Sequence, residues 1–448
     1  MVEAGSILKT VSFRRFFKWD VKHFFIKQIQ SSYPVLFLSE FLNEETEKKK
    51  LSKYPDEEFG ILGISNEIGM FDAYTEKGKN INQPYKIVKD DFIAYNPYRV
   101  NVGSTGIKKD SLKNSYISNA YVVFSTKKEL LPDYLHLLMH TEKFNQLIKD
   151  NTTGSVRQSL SFENLCKIAV PVPSVEEQKS IINKYQETVS QAEKLDKEAD
   201  DEDQSIDSFL FNILGIKETS LERKTDSILN ISSLVNMYNW DAKNAILNVN
   251  PQTLLKSDIY KNIPIQMAFR INPSTHIPNE IDEITFLPME CISDVYGTVI
   301  EKRTINSKTK GYTKFKDNDV IFAKITPCMQ NGKCAVVKEL KQGFGMGSTE
   351  FHVFRAISDD ILPEFLHSLL RTKMLRKAAM NFFTGSSGQQ RVSSEFVENL
   401  YIPFPSLEVQ TEIVNHINQI KLQVKELRSK AVELRVSAKN VFEKNVFK

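Results

Sequence analysis

From Val170 the chain reads V-P-V-P-S-V-E-E-Q and continues to Ile216 as a charged segment with apolar residues at helical spacing. From Tyr401 to Val446 it does the same again, starting Y-I-P-F-P-S-L-E-V-Q. Between Gln158 and Asn183 the match holds at a constant offset of 232, with ten of 26 positions identical, among them Pro171/Pro403, Pro173/Pro405, Ser174/Ser406, Glu176/Glu408 and Gln178/Gln410. Agreement of that kind is an internal duplication, and its long period describes a tandem pair of domains rather than a solenoid. The chain must therefore fold as globular part, long helix, globular part, long helix.

The rest of the sequence follows the same plan. F-K-W-D-V-K from Phe17 pairs with Y-N-W-D-A-K from Tyr238, so the two tryptophans, Trp19 and Trp240, each open a half. Phe59 to Val123 and Ile284 to Phe354 are rich in Ile, Val, Phe and Tyr with turn residues between, which predicts short strands in a mostly β module. L-L-P-D-Y-L-H-L-L from Leu130 matches I-L-P-E-F-L-H-S-L from Ile361, with proline at the first turn of an amphipathic helix. Polar loops follow, T-G-S-V-R-Q-S-L from Thr153 and T-G-S-S-G-Q-Q-R-V from Thr384.

In the second long segment Pro403 and Pro405 fix an extended lead-in and Ser406 is placed to cap. Ile413, Ile417, Ile420, Val424, Leu427, Ala431, Leu434, Ala438 and Val441 then keep a four-three spacing, the pattern of a coiled-coil seam. The predicted partner is the first segment, with Ile182, Tyr185, Val189, Ala192, Leu195, Ala199, Ile206, Phe209 and Ile213 on one face and Glu202 intruding on it. At roughly 1.5 Å per residue, Ile413 to Val441 spans about 43 Å. That is somewhat more than a turn of B-DNA, about 34 Å.

Net charge is only +3, and its distribution is more informative. Lys77 to Lys113 holds eight Lys or Arg against three acidic residues, and Lys302 to Lys341 ten against three, whereas Glu193 to Asp207 holds eight acidic residues against two lysines. Two basic blocks at corresponding places suit two polyanion-binding faces, although solvated loops carry the same composition. Cys166, Cys291, Cys328 and Cys334 lack CxxC spacing and read as reduced, packed thiols. Without a long apolar run, or an apolar core in Met1 to Lys18, the expected location is the cytoplasm.

Together with D-F-I-A-Y-N-P-Y-R-V-N-V-G-S-T-G from Asp91, D-V-I-F-A-K-I-T-P-C-M-Q-N-G-K from Asp319 and G-S-T-E-F-H-V-F-R from Gly347, the duplicated P-x-P-S-x-E-x-Q segments resemble the specificity subunits of type I restriction-modification systems, over essentially the whole length. The resemblance implies an α+β architecture. A target-recognition domain (residues 1–170) and a central conserved helix (171–216) are followed by a second recognition domain (217–402) and a C-terminal conserved helix (403–448). The two recognition domains, each mixed α/β with a mostly β core, are separated by two long helices forming an antiparallel coiled coil, a pseudo-two-fold repeat. It further implies a non-catalytic chain that reads a bipartite, asymmetric site on double-stranded DNA and docks two methylation subunits and the restriction subunits. S-adenosylmethionine is then held by the methylation subunit, and ATP and Mg by the restriction subunit; no cofactor or metal is expected in this chain.

In the first module the candidate DNA contacts are Asn96, Tyr98, Arg99, Asn101, Ser104 and Thr105, on a segment punctuated by Pro97, Gly103 and Gly106. An arginine can fork onto guanine and an asparagine onto adenine, and glycine lets backbone approach phosphate. The second module offers Lys324, Thr326, Gln330, Asn331 and Lys333, with Ser348 and Thr349 nearby. The polar loops add Arg157 and Gln158, then Gln389, Gln390 and Arg391. For each of these, a turn or surface hydrogen bond explains the residue type as well as a base contact does.

Two other functional classes fit parts of the sequence. A self-contained adenine methyltransferase would need more than Asn96-Pro97-Tyr98, which lacks the second proline of N-P-P-Y, and Gly343, Gly345 and Gly347 read as a β-turn rather than a phosphate loop. His136 and His140, one helical turn apart, have neither a glutamate between them nor an obvious third ligand, and read as helix core and surface. A structural coiled-coil adaptor would keep the helices and show no DNA preference.

Overall fold

In the computed structural model the described residues are 29–66, 68–100, 103–151, 159–218, 249–385 and 389–447. Trp19, Trp240, Asn101, Arg157 and Gln158 lie outside them. The chain divides into two compact units, Met1–Lys194 with Lys430–Lys448, and Leu195–Ser429. The boundary falls inside each long helix.

Among its described residues the first unit carries the strands β1 (Val35–Phe37), β2 (Leu42–Glu44), β3 (Lys48–Lys49), β4 (Glu58–Ser65), β5 (Gly69–Lys77), β6 (Tyr85–Ile87), β7 (Ile93–Tyr95), β8 (Thr105–Ile107), β9 (Tyr116–Ser118), β10 (Val122–Thr126) and β11 (Ala169–Pro171). One sheet has the order β2-β10-β7-β8 and a second β3-β6-β9-β4-β5, in which β4 and β9 run parallel. Strand alternation assigns the two faces of the first sheet. Ala94 and Val123 join Leu62, Met70 and Ile117 of the second sheet in one apolar cluster. Ile93, Tyr95 and Phe124 point the other way and pack with α1 (Pro132–Met139), α2 (Glu142–Asn151) and α3 (Phe162–Cys166) through Tyr134, Leu138, Phe144 and Leu165. The result is a layer of helices, then a sheet, then a sheet.

The second unit repeats the central part. Its strands are β12 (Asn262–Pro264), β13 (Phe269–Ile271), β14 (Glu283–Leu287), β15 (Arg303–Asn306), β16 (Thr313–Lys316), β17 (Val320–Ala323), β18 (Cys334–Val336), β19 (Phe344–Gly347), β20 (Phe351–Ala356), β21 (Phe383–Thr384), β22 (Arg391–Val392) and β23 (Tyr401–Pro403). The order β13-β20-β17-β18 reproduces β2-β10-β7-β8, and a mixed sheet, β15-β14-β19-β16, lies beside it. A short helix α5 (Pro251–Leu254) precedes these strands, and α6 (Pro363–Arg371), α7 (Lys373–Ala379) and α8 (Ser394–Glu398) match α1 to α3.

The duplicated motif explains itself in the long helices α4 (Val175–Leu214) and α9 (Leu407–Val446). Proline-fixed extended backbone makes β11 and β23, which pair antiparallel with β1 and β12. Ser174 and Glu177 form a capping box: the Ser174 hydroxyl accepts from Glu177 N–H at 3.3 Å and the Glu177 carboxylate accepts from Ser174 N–H at 3.0 Å. Ser406 caps α9 by accepting from Val409 N–H at 3.4 Å, without the reciprocal glutamate. Gln178 and Gln410 are fully buried. The Gln178 amide accepts from Leu131 N–H at 2.8 Å and donates to Glu129 O and Pro173 O, both at 2.9 Å. Gln410 does the same with Leu362 N–H, Asp360 O and Pro405 O. Each glutamine thus supplies the cap that α1 and α6 lack, since their N-cap residues are leucines.

Antiparallel pairing of the long helices is present within each unit. In the second, Ala199 packs with Ile420 and Val424, and Arg428 bonds Asp200 at 3.1 Å. In the first, Phe442 sits 6.2 Å from the ring of Tyr185 and 5.9 Å from that of Tyr134. The expected seam holds from Ile413 to Ala438, all buried or half-buried. Val441 does not belong to it: it is 48% exposed, and Phe442, 3% exposed, takes its place. A strict seven-residue repeat drifts by about 20° per heptad on a straight helix, so after four heptads the inward face has moved on by a residue.

Candidate nucleic-acid interface

Both units present a hairpin at the same edge of the duplicated sheet. In the first, β7 and β8 are joined through Asn96 to Ser104. Asn96 N–H donates to Ser104 O at 3.1 Å, Ser104 N–H to Arg99 O at 3.2 Å, and Arg99 N–H to Asn96 O at 3.0 Å. The Asn96 carboxamide oxygen accepts from Tyr98 N–H at 3.0 Å, a local side-chain turn. Tyr98, 60% exposed, and Arg99 therefore stand out on a braced turn. Ser104 and Thr105 are buried, and the Thr105 hydroxyl faces the interior without a partner, so these two candidates are turned away from solvent. Leu160 N–H donates to Pro97 O at 3.0 Å, which brings the chain after the polar loop against the hairpin.

In the second unit β17 and β18 are joined through Lys324 to Lys333. Thr326 N–H donates to Gln390 O at 3.0 Å, Val392 N–H to Lys324 O at 2.8 Å, and Lys324 N–H to Glu350 O at 2.9 Å. These bonds bring Lys324, Thr326, Gln390, Arg391 and the Ser348–Thr349 turn together. Arg391 forks onto Glu350 at 2.9 and 2.8 Å, and its guanidinium holds the Glu350 carboxyl below the usual range. A third Arg391 N–H donates to Gln389 O at 3.0 Å, so this arginine is occupied and must exchange partners to meet a base. Gln330 is half-buried and Asn331 exposed at the hairpin end. Lys333 is turned back: its ammonium donates to Met289 O at 3.0 Å and Ile292 O at 2.8 Å, so it fastens the hairpin to the neighbouring loop.

The basic blocks are less uniform than their composition. Lys302, Arg303, Lys308, Lys338 and Lys341 pair with Glu339, Glu290 and Glu301, Asp282, Glu364 and Glu283. Lys108 and Lys109 pair with Asp90, Asp91 and Asp133. Positive charge is thus interrupted by carboxylates in both blocks.

Gly343 occupies a tight turn, as expected, but Gly345 and Gly347 lie on β19 rather than in it. An added Cβ would stand 2.3 Å from the Phe315 ring at Gly345 and 2.4 Å from Leu287 O at Gly347, so these glycines exist for close packing. His136 and His140 meet edge to face at 4.6 Å beneath β8, and burial pushes the His136 pKa down to about 3. No cluster of three metal-ligating side chains occurs among the described residues.

Sequence reasoning missed the tip of β4–β5. Ile68 is 67% exposed there, and Asn66 lies beside Gly103 of the hairpin. Nothing in the local pattern marks it, because the adjacency is created by the sheets. It also missed Arg371 and Arg376 below the second hairpin. The departure of Arg371 from His140 in the duplication was the available signal.

Among the described residues no helix is long and apolar enough to cross a membrane. The family model for the type I restriction modification DNA specificity domain matches residues 37–200 and again 279–434. The Escherichia coli EcoEI specificity subunit is 35% identical over 164 residues, 36% of this chain and 28% of that protein. The E. coli EcoAI specificity subunit is 39% identical over 152 residues, 34% and 26% of the two chains. These matches span little more than a quarter of either relative. A chain solved in work on the assembly and conformational transition of the type I R-M system superposes with a TM-score of 0.58 at 14% identity, covering 94% of this chain and 98% of that one, a likeness of fold. With both halves matched by one family model and the duplicated sheet presenting the same hairpin twice, the chain belongs to the type I restriction-modification DNA specificity family.

Proposed function

We propose that this chain is the DNA specificity subunit of a type I restriction-modification complex, reading a bipartite, asymmetric site on double-stranded DNA with one hairpin and its neighbouring polar loop in each unit. The observation that carries this reading is the repeated strand order, β2-β10-β7-β8 and β13-β20-β17-β18, with the exposed connection in the same place each time. Arg99 and Tyr98 in one unit, and Lys324, Thr326, Asn331, Gln390 and Arg391 in the other, are the groups offered to base edges and phosphates. Their different chemistry suits an asymmetric site. The long helices act as spacer and as docking surface for two methylation subunits, with restriction subunits completing the endonuclease in the cytoplasm. S-adenosylmethionine, ATP and Mg belong to those partners, and this chain contributes specificity rather than a reaction step.

The test is a domain exchange. Replacing Ile61 to Ser155 with the corresponding part of another recognition domain, followed by mapping of methylated adenine in cells, should change one half-site and leave the other. Change at both, or at neither, removes the modular reading. A gel shift on random duplex pools, with and without a modification subunit, separates this function from that of an adaptor, which would select no sequence.

A further inference from the structure

Beneath the second hairpin, α6 and α7 aim three basic side chains at main-chain carbonyls. Arg376 donates to Gln330 O and Arg371 to Gly332 O, both on the hairpin connection. Arg371 also donates to Asp294 O at 3.2 Å and Val295 O at 2.7 Å on the adjoining loop. His367 Nε2 lies 2.9 Å from Gly297 O and 3.1 Å from Cys334 O, so its ring bridges the same two segments. Space is tight: a Cβ on Gly297 would stand 2.2 Å from Cys334 O, and one on Gly332 3.3 Å from Arg376 and 3.4 Å from Arg371. Arg376 Nε further donates to Arg371 O at 3.0 Å, closing the end of α6, while Asp207 of α4 accepts from Lys373 N–H at 2.8 Å at the start of α7. The first unit keeps only the histidine. At the matching offset of 231, His136 stands for His367, but His140 and Asn145 stand where Arg371 and Arg376 do.

We propose that Arg371 and Arg376 are positioning residues for the second reading hairpin, holding Gln330 to Gly332 through its carbonyls, so that the specificity of one half-site depends on two guanidinium groups with no counterpart in the other unit. Planar, forked donors can bridge separate carbonyls where a lysine serves only as a point charge. A displacement of the connection by about an ångström would misplace Asn331 and Thr326 while leaving β17, β18 and the core intact. This inference rests on the proposed function above.

The experiment uses the full chain assembled with its modification subunits and a duplex selected by the wild type from a random pool. Affinity is compared for that duplex and for duplexes altered in one half-site at a time. Arg376→Gln and Arg371→Gln should each lower discrimination at the second half-site by about tenfold, the size of one lost base contact. The ratio at the first half-site should stay unchanged. Arg376→Lys, which keeps charge and packing, is the second variant should the glutamine forms not fold, and should show a smaller loss confined to the same half-site. Asn145→Gln is the matched control in the first unit. Unchanged discrimination in folded variants, or an equal fall at both half-sites tracking a lower Tm, overturns the positioning role. A wild-type complex that discriminates at neither half-site overturns the specificity reading and this inference with it.

Discussion

His136 and His367 occupy equivalent places on α1 and α6, and burial pushes both pKa values down to about 3. Lys421 and Arg371 beside His367, and His140 and Lys109 beside His136, push the same way. Backbone acceptors at Gly297, Cys334 and Thr105 and the Asp133 carboxylate oppose them. The unfolded chain takes up these protons near pH 6.5 and the native chain does not. Their neutral forms therefore cost nothing above that pH, and stability falls as pH drops from about 6.5 towards 3, by at most about 1.4 kcal/mol per pH unit for each histidine. Urea midpoints measured from pH 7.5 to 4.5 should decline over the acidic half of that range, and His136→Gln should flatten the slope. A slope untouched by that substitution would assign the acid sensitivity elsewhere. The sequence shows both histidines at one duplicated position, yet not that they are neutral, because burial is a property of the surrounding layers.

At the scale of elements, Gln178 and Gln410 show why a motif can be conspicuous before it is understood. Each lies on a long helix and satisfies donors and acceptors some 50 residues away in sequence, a link no local pattern contains. The helical seam was legible for most of its length from spacing alone. Its last step was not, because heptad drift and the aromatic pocket of Tyr134 and Tyr185 favour Phe442 over Val441. Phe442→Ala should destabilise the chain by about 3–5 kcal/mol in denaturant unfolding, as expected for a large ring removed from a packed site. Val441→Ala should cost less than about 0.5 kcal/mol, the usual range for a surface change. Equal costs would restore the strict seven-residue seam.

For the whole molecule, the proposed function makes the paired helices a spacer, and the antiparallel packing within each unit shows that both strands of it must be lengthened together. Inserting one heptad after Lys194 and another after Ser429 preserves the seam and adds about 10 Å at 1.5 Å per residue. Mapping of methylated adenine should then show a gap longer by about three base pairs at roughly 3.4 Å each, with the same two half-sites. A gap of unchanged length would remove the helices as the measure of spacing.

The duplication, the helix starts, the strand-rich modules and the seam follow from sequence by itself, because each depends on the order of residue types along a few turns or strands. Which candidate contacts face outward was decided only by the tertiary structure. Thr105 and Lys333 have the chemistry of DNA ligands, but Thr105 is buried and the Lys333 ammonium is spent on fastening its hairpin, Arg391 is held by Glu350, and Asn66 arrives beside the first hairpin from a different sheet. Side chains with the same hydrogen-bonding groups serve folding or recognition according to the partners that packing places within about 3 Å of them, and those partners come from distant parts of the chain.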